Sequence, residues 1–305
     1  MKEIKTVSIV GMGALGLLYA DIIQTTLGPG VVQFVMDNNR YEKYRNHAFT
    51  INGNIKDFKL VSIEQVTQVP DLVIVAVKST GLESCLPIVQ KITGENTIVI
   101  SVLNGISSEE VLAEKIGMEK IIHCVAQGMD AMKFGNALNY TKKGELHIGL
   151  AKNEKQENLD AIKTFFDKAK NPYIVEDDIV RRMWCKFMLN VGVNQTCMAY
   201  SATYSMVLNQ PELLAIYTGA MREVIAIAEA EKINITEDDL NFYVDITRTL
   251  DPNGTPSMGQ DRIQKRKSEV DSFAGTVIKI AAKHGIPVPV NQALYERVKE
   301  IEKEY

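Results

Sequence analysis

Three glycines, Gly11, Gly13 and Gly16, close a short apolar run and open a stretch with helical periodicity. The G-x-G-x-x-G spacing suits a dinucleotide. The first glycine makes a tight turn after a strand, the second lets the backbone approach a pyrophosphate, and the third allows close helix–strand packing. The helix N-terminus then faces the negative charge. Met12, Ala14 and Leu15 fill the rest of this predicted cradle. A second apolar run ends at Asp37, about twenty residues further on, where a carboxylate hydrogen-bonds an adenosine ribose and disfavours a 2′-phosphate. That favours NAD. Arg40 follows three positions later and could instead pair with the 2′-phosphate of NADP. Asp-Asn-Asn is also good turn chemistry, so a capping role for Asp37 stays open.

More polar side chains sit where strands should end. Lys78 follows one apolar run and Asn104-Gly105 the next, a placement that aims them at a ligand, although a solvated lysine and an ordinary Asn-Gly turn are the simpler alternatives. Further on, Lys186, Asn190 and Asn194 recur at i, i+4 and i+8, forming one polar stripe of a helix, with Trp184 and Phe187 beside it. Asparagine is a poor helix former, so two on one stripe point to a polar ligand rather than a solvated face; an interhelical polar seam is the alternative. Ser257 is expected in a loop, and Glu269 in the helix after it, where taken alone it is a solvated residue.

The elements that must position these groups are legible in outline. Apolar runs at residues 4–10, 31–37, 72–77, 97–102 and 120–125 predict parallel strands covered on both faces. Helices should start near Ala14, Thr80 and Ser107, and Gly28-Pro29-Gly30 ends the first. Asn52-Gly53 predicts a hairpin insertion, and residues 142–150 a further β segment. Helical patterns then cover 179–200, 211–231, 237–250, 262–284 and 291–304, with 251–260 as a loop. The fold class is α/β: a Rossmann-type dinucleotide-binding domain over residues 1–177, then an all-helical domain over 178–305. The active site is expected in the crevice between them.

Composition excludes several classes. The 305 residues are 46% hydrophobic and 24% charged, with a net charge of −4. No basic block appears beyond Lys265-Arg266-Lys267, so nucleic acid is not an expected partner. The first strand begins close to the N-terminus, leaving no space for a secretory signal, and no apolar run is long enough to span a membrane. Four scattered cysteines and four isolated histidines predict neither a disulfide framework nor a metal site. These features point to the cytoplasm.

With these motifs in order, the chain resembles the ketopantoate reductase (2-dehydropantoate 2-reductase) family over nearly its whole length. Gly11-Met12-Gly13-Ala14-Leu15-Gly16 is similar to the family's G-x-G-A-L-G. Lys78 and Asn104-Gly105 match its strand-end lysine and N-G, and Lys186, Asn190 and Asn194 its K-x-x-x-N-x-x-x-N helix. Ser257-Met258 with Asp261 resembles its S-M-x-x-D, and Ser268-Glu269-Val270-Asp271 its T-E-I-D. The resemblance implies NAD(P)H-dependent reduction of a 2-oxo acid, 2-dehydropantoate to pantoate, a step of pantothenate biosynthesis. Lys186 would be the general acid and Glu269 its orienting carboxylate. Asn190, Asn194 and Ser257 would grip the substrate, and Asn104 and Lys78 would order the nicotinamide side. It also implies NADP, against Asp37, so the cofactor stays open between NADP and NAD. A homodimer is the assembly left open. The alternatives are an NAD-dependent D-2-hydroxyacid dehydrogenase of the same fold and a non-catalytic nucleotide sensor. The presence of Lys186 and Glu269 argues against the sensor.

Overall fold

The computed structural model describes residues 2–151 and 154–305 of the chain. Packing divides it into two compact units, Met1–Ile179 and Val180–Tyr305.

The first unit opens β1 (Val7–Val10), α1 (Ala14–Leu27), β2 (Val32–Met36) and α2 (Asn38–Tyr44). Three short strands follow, β3 (Phe49–Ile51), β4 (Asn54–Lys56) and β5 (Lys59–Ser62), then β6 (Leu72–Val75), α3 (Leu82–Ile92), β7 (Ile98–Ser101) and α4 (Ser108–Ile116). The unit closes with β8 (His123–Met129), β9 (Met132–Phe134), β10 (Ala137–Asn139), β11 (Lys143–Gly149), α5 (Gln156–Ala169) and β12 (Tyr173–Val175). The main sheet is parallel with order β5-β2-β1-β6-β7. Its strands β1, β6 and β7, with sequences VSIV, LVIV and IVIS, are buried at every position. β-branched side chains fit a pleat covered on both faces, and this is why these strands are continuous apolar runs.

The register sets up a rim. Val10 pairs with Val75, and Val75 with Ser101. The glycine turn, the segment carrying Lys78 and the loop carrying Asn104 therefore leave the same edge, at the carboxyl ends of three adjacent strands.

Several expectations need correction. The strand expected over 120–125 starts as a 3-10 turn, Met118–Lys120, and among the described residues is bridged to the main sheet from Val99 to Ile121 rather than joining it as a strand. The rest forms β8, which pairs antiparallel with β11, itself parallel to β12. The fifth main-sheet strand is instead β5, at the edge beside β2. Helix α5 went unpredicted, although Leu159, Ile162, Phe165 and Phe166 form its buried stripe. The hairpin at Asn52-Gly53 is present, with φ of 49° and 79°, the signs a two-residue hairpin turn requires. It belongs to a small sheet of order β4-β3-β10-β9.

The second unit is helical: α6 (Ile179–Tyr200), α7 (Tyr204–Asn209), α8 (Pro211–Ala230), α9 (Glu237–Arg248), α10 (Ser257–Ile263), α11 (Ala274–His284) and α12 (Pro289–Ile301). Helix α6 is its axis, and every residue from Asn190 to Ala199 is buried. At Gly192 a Cβ would lie 2.6 Å from the Tyr217 ring, so only glycine lets α8 approach this closely. The single helix expected over 262–284 is two. α10 stops at Ile263, Lys265 takes a left-handed φ of 49°, and α11 begins only at Ala274. Ser257 therefore opens a helix rather than lying in a loop, and Glu269 lies in a turn rather than a helix.

Among the described residues, no helix is long and apolar enough to cross a membrane. All four cysteines are buried and unpaired with one another. Burial pushes the Cys85 thiol up to about 11, against the pull of Arg40, and the Cys197 thiol up to about 12.

Candidate active site

In the first unit, a cavity of about 240 Å³ lies beside the glycine turn, lined among others by Gly11, Met12, Gly13, Arg40, Tyr44 and Lys78. The three glycines have different reasons to be there. Gly11 has φ of 111°, and a Cβ on it would lie 2.5 Å from the Ala76 carbonyl group. A Cβ on Gly16 would collide with the Gly11 carbonyl oxygen. These two are required by the fold. A Cβ on Gly13 would meet nothing nearer than 3.7 Å, although this residue is the exposed N-cap of α1. The protein leaves space at Gly13 that its own packing does not use, and a pyrophosphate fits that space and the free N–H groups of a helix start. Ala14 and Leu15 begin α1, half-buried and packed partly on the core.

Asp37 caps α2: its Oδ1 accepts the Arg40 backbone N–H at 2.9 Å, and its Oδ2 lies 3.3 Å from the Arg40 guanidinium. Arg45 is paired with Glu42 at 2.9 Å and Lys43 lies over the Tyr44 ring. Lys78 is exposed and Asn104 half-buried at the rim described above. Tyr44, Met36 and Thr80 also line the cavity and were missed by sequence reasoning. Helix α2 is only seven residues long, too short for periodicity to mark which side chains face a ligand.

In the second unit, α6 carries the polar stripe. Lys186 is half-buried, one turn before Asn190; Asn190 and Asn194 are buried, at 8% and 4% exposure. The amides form a hydrogen-bonded run. Asn194 Nδ2 donates to Asn190 Oδ1 at 3.1 Å. Ser257 Oγ, at the start of α10, donates to Asn194 Oδ1 at 3.0 Å, and the Met258 backbone N–H reaches the same oxygen at 3.4 Å. The structure thus brings Asn190, Asn194 and Ser257 together from two helices 63 residues apart in sequence.

Glu269 is buried, at 6% exposure, in a turn clamped on both sides. Ser268 donates through its N–H and hydroxyl to Glu302 at 2.7 and 2.6 Å. Asp271 accepts from Tyr295 at 2.8 Å and Lys299 at 3.1 Å. Val270 and Phe273 are fully buried. The solvated-helix reading of Glu269 is therefore wrong on both counts: neighbouring side chains anchor the turn and hold the carboxyl out of water. Asp261 accepts two bonds from Arg266, at 3.0 and 2.8 Å, and so shapes the same connection.

Two buried networks had no sequence signal. Gln195 of α6 accepts from the Ala274 N–H at 2.9 Å, capping α11, and donates to Asn291 of α12 at 3.1 Å. Asn291 and its neighbour Val290 are held in turn by Glu223 of α8 at 2.7–2.8 Å. In the first unit, Ser101 and Ser108 share a 2.8 Å bond, Ser108 donates to buried Glu109 at 2.8 Å, and His123 is hydrogen-bonded to Glu154. Burial raises the Glu109 carboxyl, outweighing His123 and Ser108. Burial pulls His123 down, but the bond to Glu154 and the charges of Glu109 and Glu154 outweigh it and raise it.

Comparison with known proteins gives a consistent picture. The family model "Ketopantoate reductase PanE/ApbA" matches residues 7–153, and its C-terminal counterpart residues 178–302. A 2-dehydropantoate 2-reductase of Streptococcus pyogenes is 23% identical over 298 residues, covering 96% of each chain. Among solved structures, a D-mandelate dehydrogenase in ternary complex with NADH and anilino(oxo)acetate superposes with a TM-score of 0.88 at 20% identity, covering 98% of this chain and 99% of that one. A dimeric ketopantoate reductase of Staphylococcus aureus gives 0.81, also at 20% identity and with the same coverage. The structural likenesses show a shared fold. With both family models together spanning most of its length, the chain belongs to the ketopantoate reductase family, whose enzymes are oxidoreductases acting on a CH–OH group.

Proposed function

We propose that this protein reduces a 2-oxo acid to the 2-hydroxy acid, with 2-dehydropantoate as substrate and NADH as the preferred cofactor. The observation that carries the reaction is the run Asn190–Asn194–Ser257, hydrogen-bonded and set one turn beyond Lys186, in a chain of this family. The cofactor, once bound, supplies the hydride. Lys186 Nζ donates the proton that the carbonyl oxygen needs as it becomes a hydroxyl, and solvent returns that proton. Glu269, anchored out of water, orients the Lys186 ammonium. Asn190, Asn194 and Ser257 hold the acid, and Lys78 and Asn104, from the strand rim, serve the nicotinamide.

The NADH preference rests on local charge. A 2′-phosphate would meet the Asp37 carboxylate, and Arg40 is already paired with that carboxylate. Asp37 Oδ2 is the oxygen that would accept from a ribose hydroxyl. Asp37 also favours a second reading, an NAD-dependent D-2-hydroxyacid dehydrogenase acting on a branched or aromatic 2-oxo acid; the D-mandelate dehydrogenase that shares the fold carries NADH.

The test is kcat/KM for 2-dehydropantoate, a branched and an aromatic 2-oxo acid, each with NADH and NADPH. Asp37→Ser should shift preference toward NADPH. If Arg40 instead clamps the phosphate, Arg40→Ala weakens NADPH and spares NADH. No turnover anywhere in the panel rejects the reaction, and a cofactor ratio unmoved by Asp37→Ser rejects the role given to that carboxylate.

A further inference from the structure

A buried carboxylate stands behind the loop at the strand rim. Ser101 ends β7 and Ser108 begins α4, so residues 102–107, Asn104-Gly105 among them, leave from one serine and return to the other. The bridge from Val99 to Ile121 brings His123 level with Ser101, on the face that Leu112 and Ile116 of α4 cover. Glu109 and Glu110 both lie in the first turn of α4, where a carboxylate suits the helix dipole. Glu110 does so in water. Glu109 is turned inward, at 2% exposure, where an apolar side chain would pack at less cost.

The direction of the hydrogen bonds is fixed from both ends. The Leu103 N–H can only donate, so Ser101 Oγ accepts it, at 3.4 Å. At the other end Glu109, as a carboxylate, can only accept, so Ser108 gives it its proton, at 2.8 Å. Ser108 is left with a lone pair, and takes the Ser101 proton at 2.8 Å. The run Leu103–Ser101–Ser108–Glu109 thus ties both ends of the loop to one acid. A bond to an ionised acceptor is roughly twice as strong as one between neutral groups, so protonation of Glu109 loosens the run.

We propose that Glu109 is a positioning residue for the cofactor: as a carboxylate it fixes, through Ser108 and Ser101, the loop that presents Asn104 to the nicotinamide. This rests on the reading of the strand rim as the nicotinamide side. The charged groups that act most on Glu109 are His123 of β8, which favours its charge, and Glu154, from the segment before α5, which opposes it. Glu154 is itself bonded to His123 and takes the Ala151 N–H at 2.7 Å, and Glu110 acts on His123 from α4. Burial, with Glu154, outweighs His123 and Ser108 and raises Glu109 above the usual carboxyl range. Below that raised value the run lacks its anion and the nicotinamide is held less well; above it the loop is set. By linkage, binding the nicotinamide end favours the carboxylate and drives a proton off Glu109.

The experiment is calorimetric binding across pH of the oxidised cofactor, NAD or NADP as wild type prefers, and of the matching ADP-ribose, which lacks the nicotinamide. The ratio of the two affinities isolates the nicotinamide end. In wild type it should fall roughly ten-fold on acidification, the scale of one lost oriented hydrogen bond. Glu109→Gln cannot ionise and should make the ratio constant with pH. Ser101→Ala cuts the run at the loop, and should lower the ratio at every pH and remove its pH dependence. A wild-type ratio that does not vary with pH, or one that varies alike in Glu109→Gln, overturns the proposal. A loss shared equally by ADP-ribose would mean that Glu109 acts only on the fold, and overturns it too. Should Glu109→Gln not fold, Ser101→Ala decides alone: an unchanged pH dependence of the ratio overturns the run. None of these measurements needs turnover, so failure of the reaction reading shows separately, in the substrate panel. A wild type that binds neither dinucleotide overturns the role of the loop together with that of the cofactor.

Discussion

At the scale of single residues, the same residue type holds its place for different reasons, and the differences are testable. Gly11 and Gly16 are excluded from carrying a side chain by backbone 2.5 Å away or closer, whereas Gly13 faces open space. Gly13→Val should therefore fold with near-normal Tm and lose dinucleotide binding, which calorimetry with NADH and NADPH reads directly. Retained affinity in a folded Gly13→Val protein would show that the pyrophosphate lies elsewhere. Lys186→Ala should lower the reductive kcat by roughly 10²–10⁴-fold, the contribution of a placed acid, while cofactor affinity stays near normal. A variant within a few-fold of wild type removes Lys186 from the mechanism. Residue types in fixed spacing made these positions legible. What the sequence could not carry was state: that Glu269 is buried, or that the Asn190 and Asn194 amides are hydrogen-bonded in one direction, depends on chain segments brought in from far away.

At the scale of elements, legibility followed the strength of the local pattern. Helix α6 and the strands β1, β6 and β7 were readable because each is long or almost continuously apolar. The expectation of one helix over 262–284 failed because charged residues of good helix propensity fill Lys265–Glu269, where the chain in fact turns. That turn is stabilised by a distant partner, Glu302 for Ser268, and by a local one, Arg266 bonded back to Asp261. β5, β9 and β10 have three or four residues each and owe their form to pairing, not to propensity. The element that binds the helical unit together is α6, through Gln195. Gln195→Leu removes the acceptor that caps α11 and the donor to Asn291, both fully out of water. It should cost roughly 2–4 kcal/mol of unfolding free energy in urea titration. A loss under about 0.5 kcal/mol would mean that α11 and α12 are held without this amide.

At the scale of the whole molecule, the buried acid–histidine cluster sets a pH dependence. His123 has its folded value raised above 6.5, so the stability it contributes is complete below that pH and is lost as pH rises through the raised value. Glu109, raised from 4.5, works in the same direction, because ionising it in the core becomes a penalty as pH rises. Tm should therefore fall as pH rises above 6.5, and His123→Gln should flatten that part of the slope. An identical slope in the variant would place the dependence in other groups. The four cysteines add something of a different kind. Two lie in each unit, all are out of water, and burial raises the Cys85 and Cys197 thiols so that the reactive thiolate is scarce at neutral pH. A thiol-alkylating reagent therefore finds little to react with until the chain opens. Cys85 and Cys197 become clocks, one per unit, whose labelling rates tell which half of the molecule lets go first.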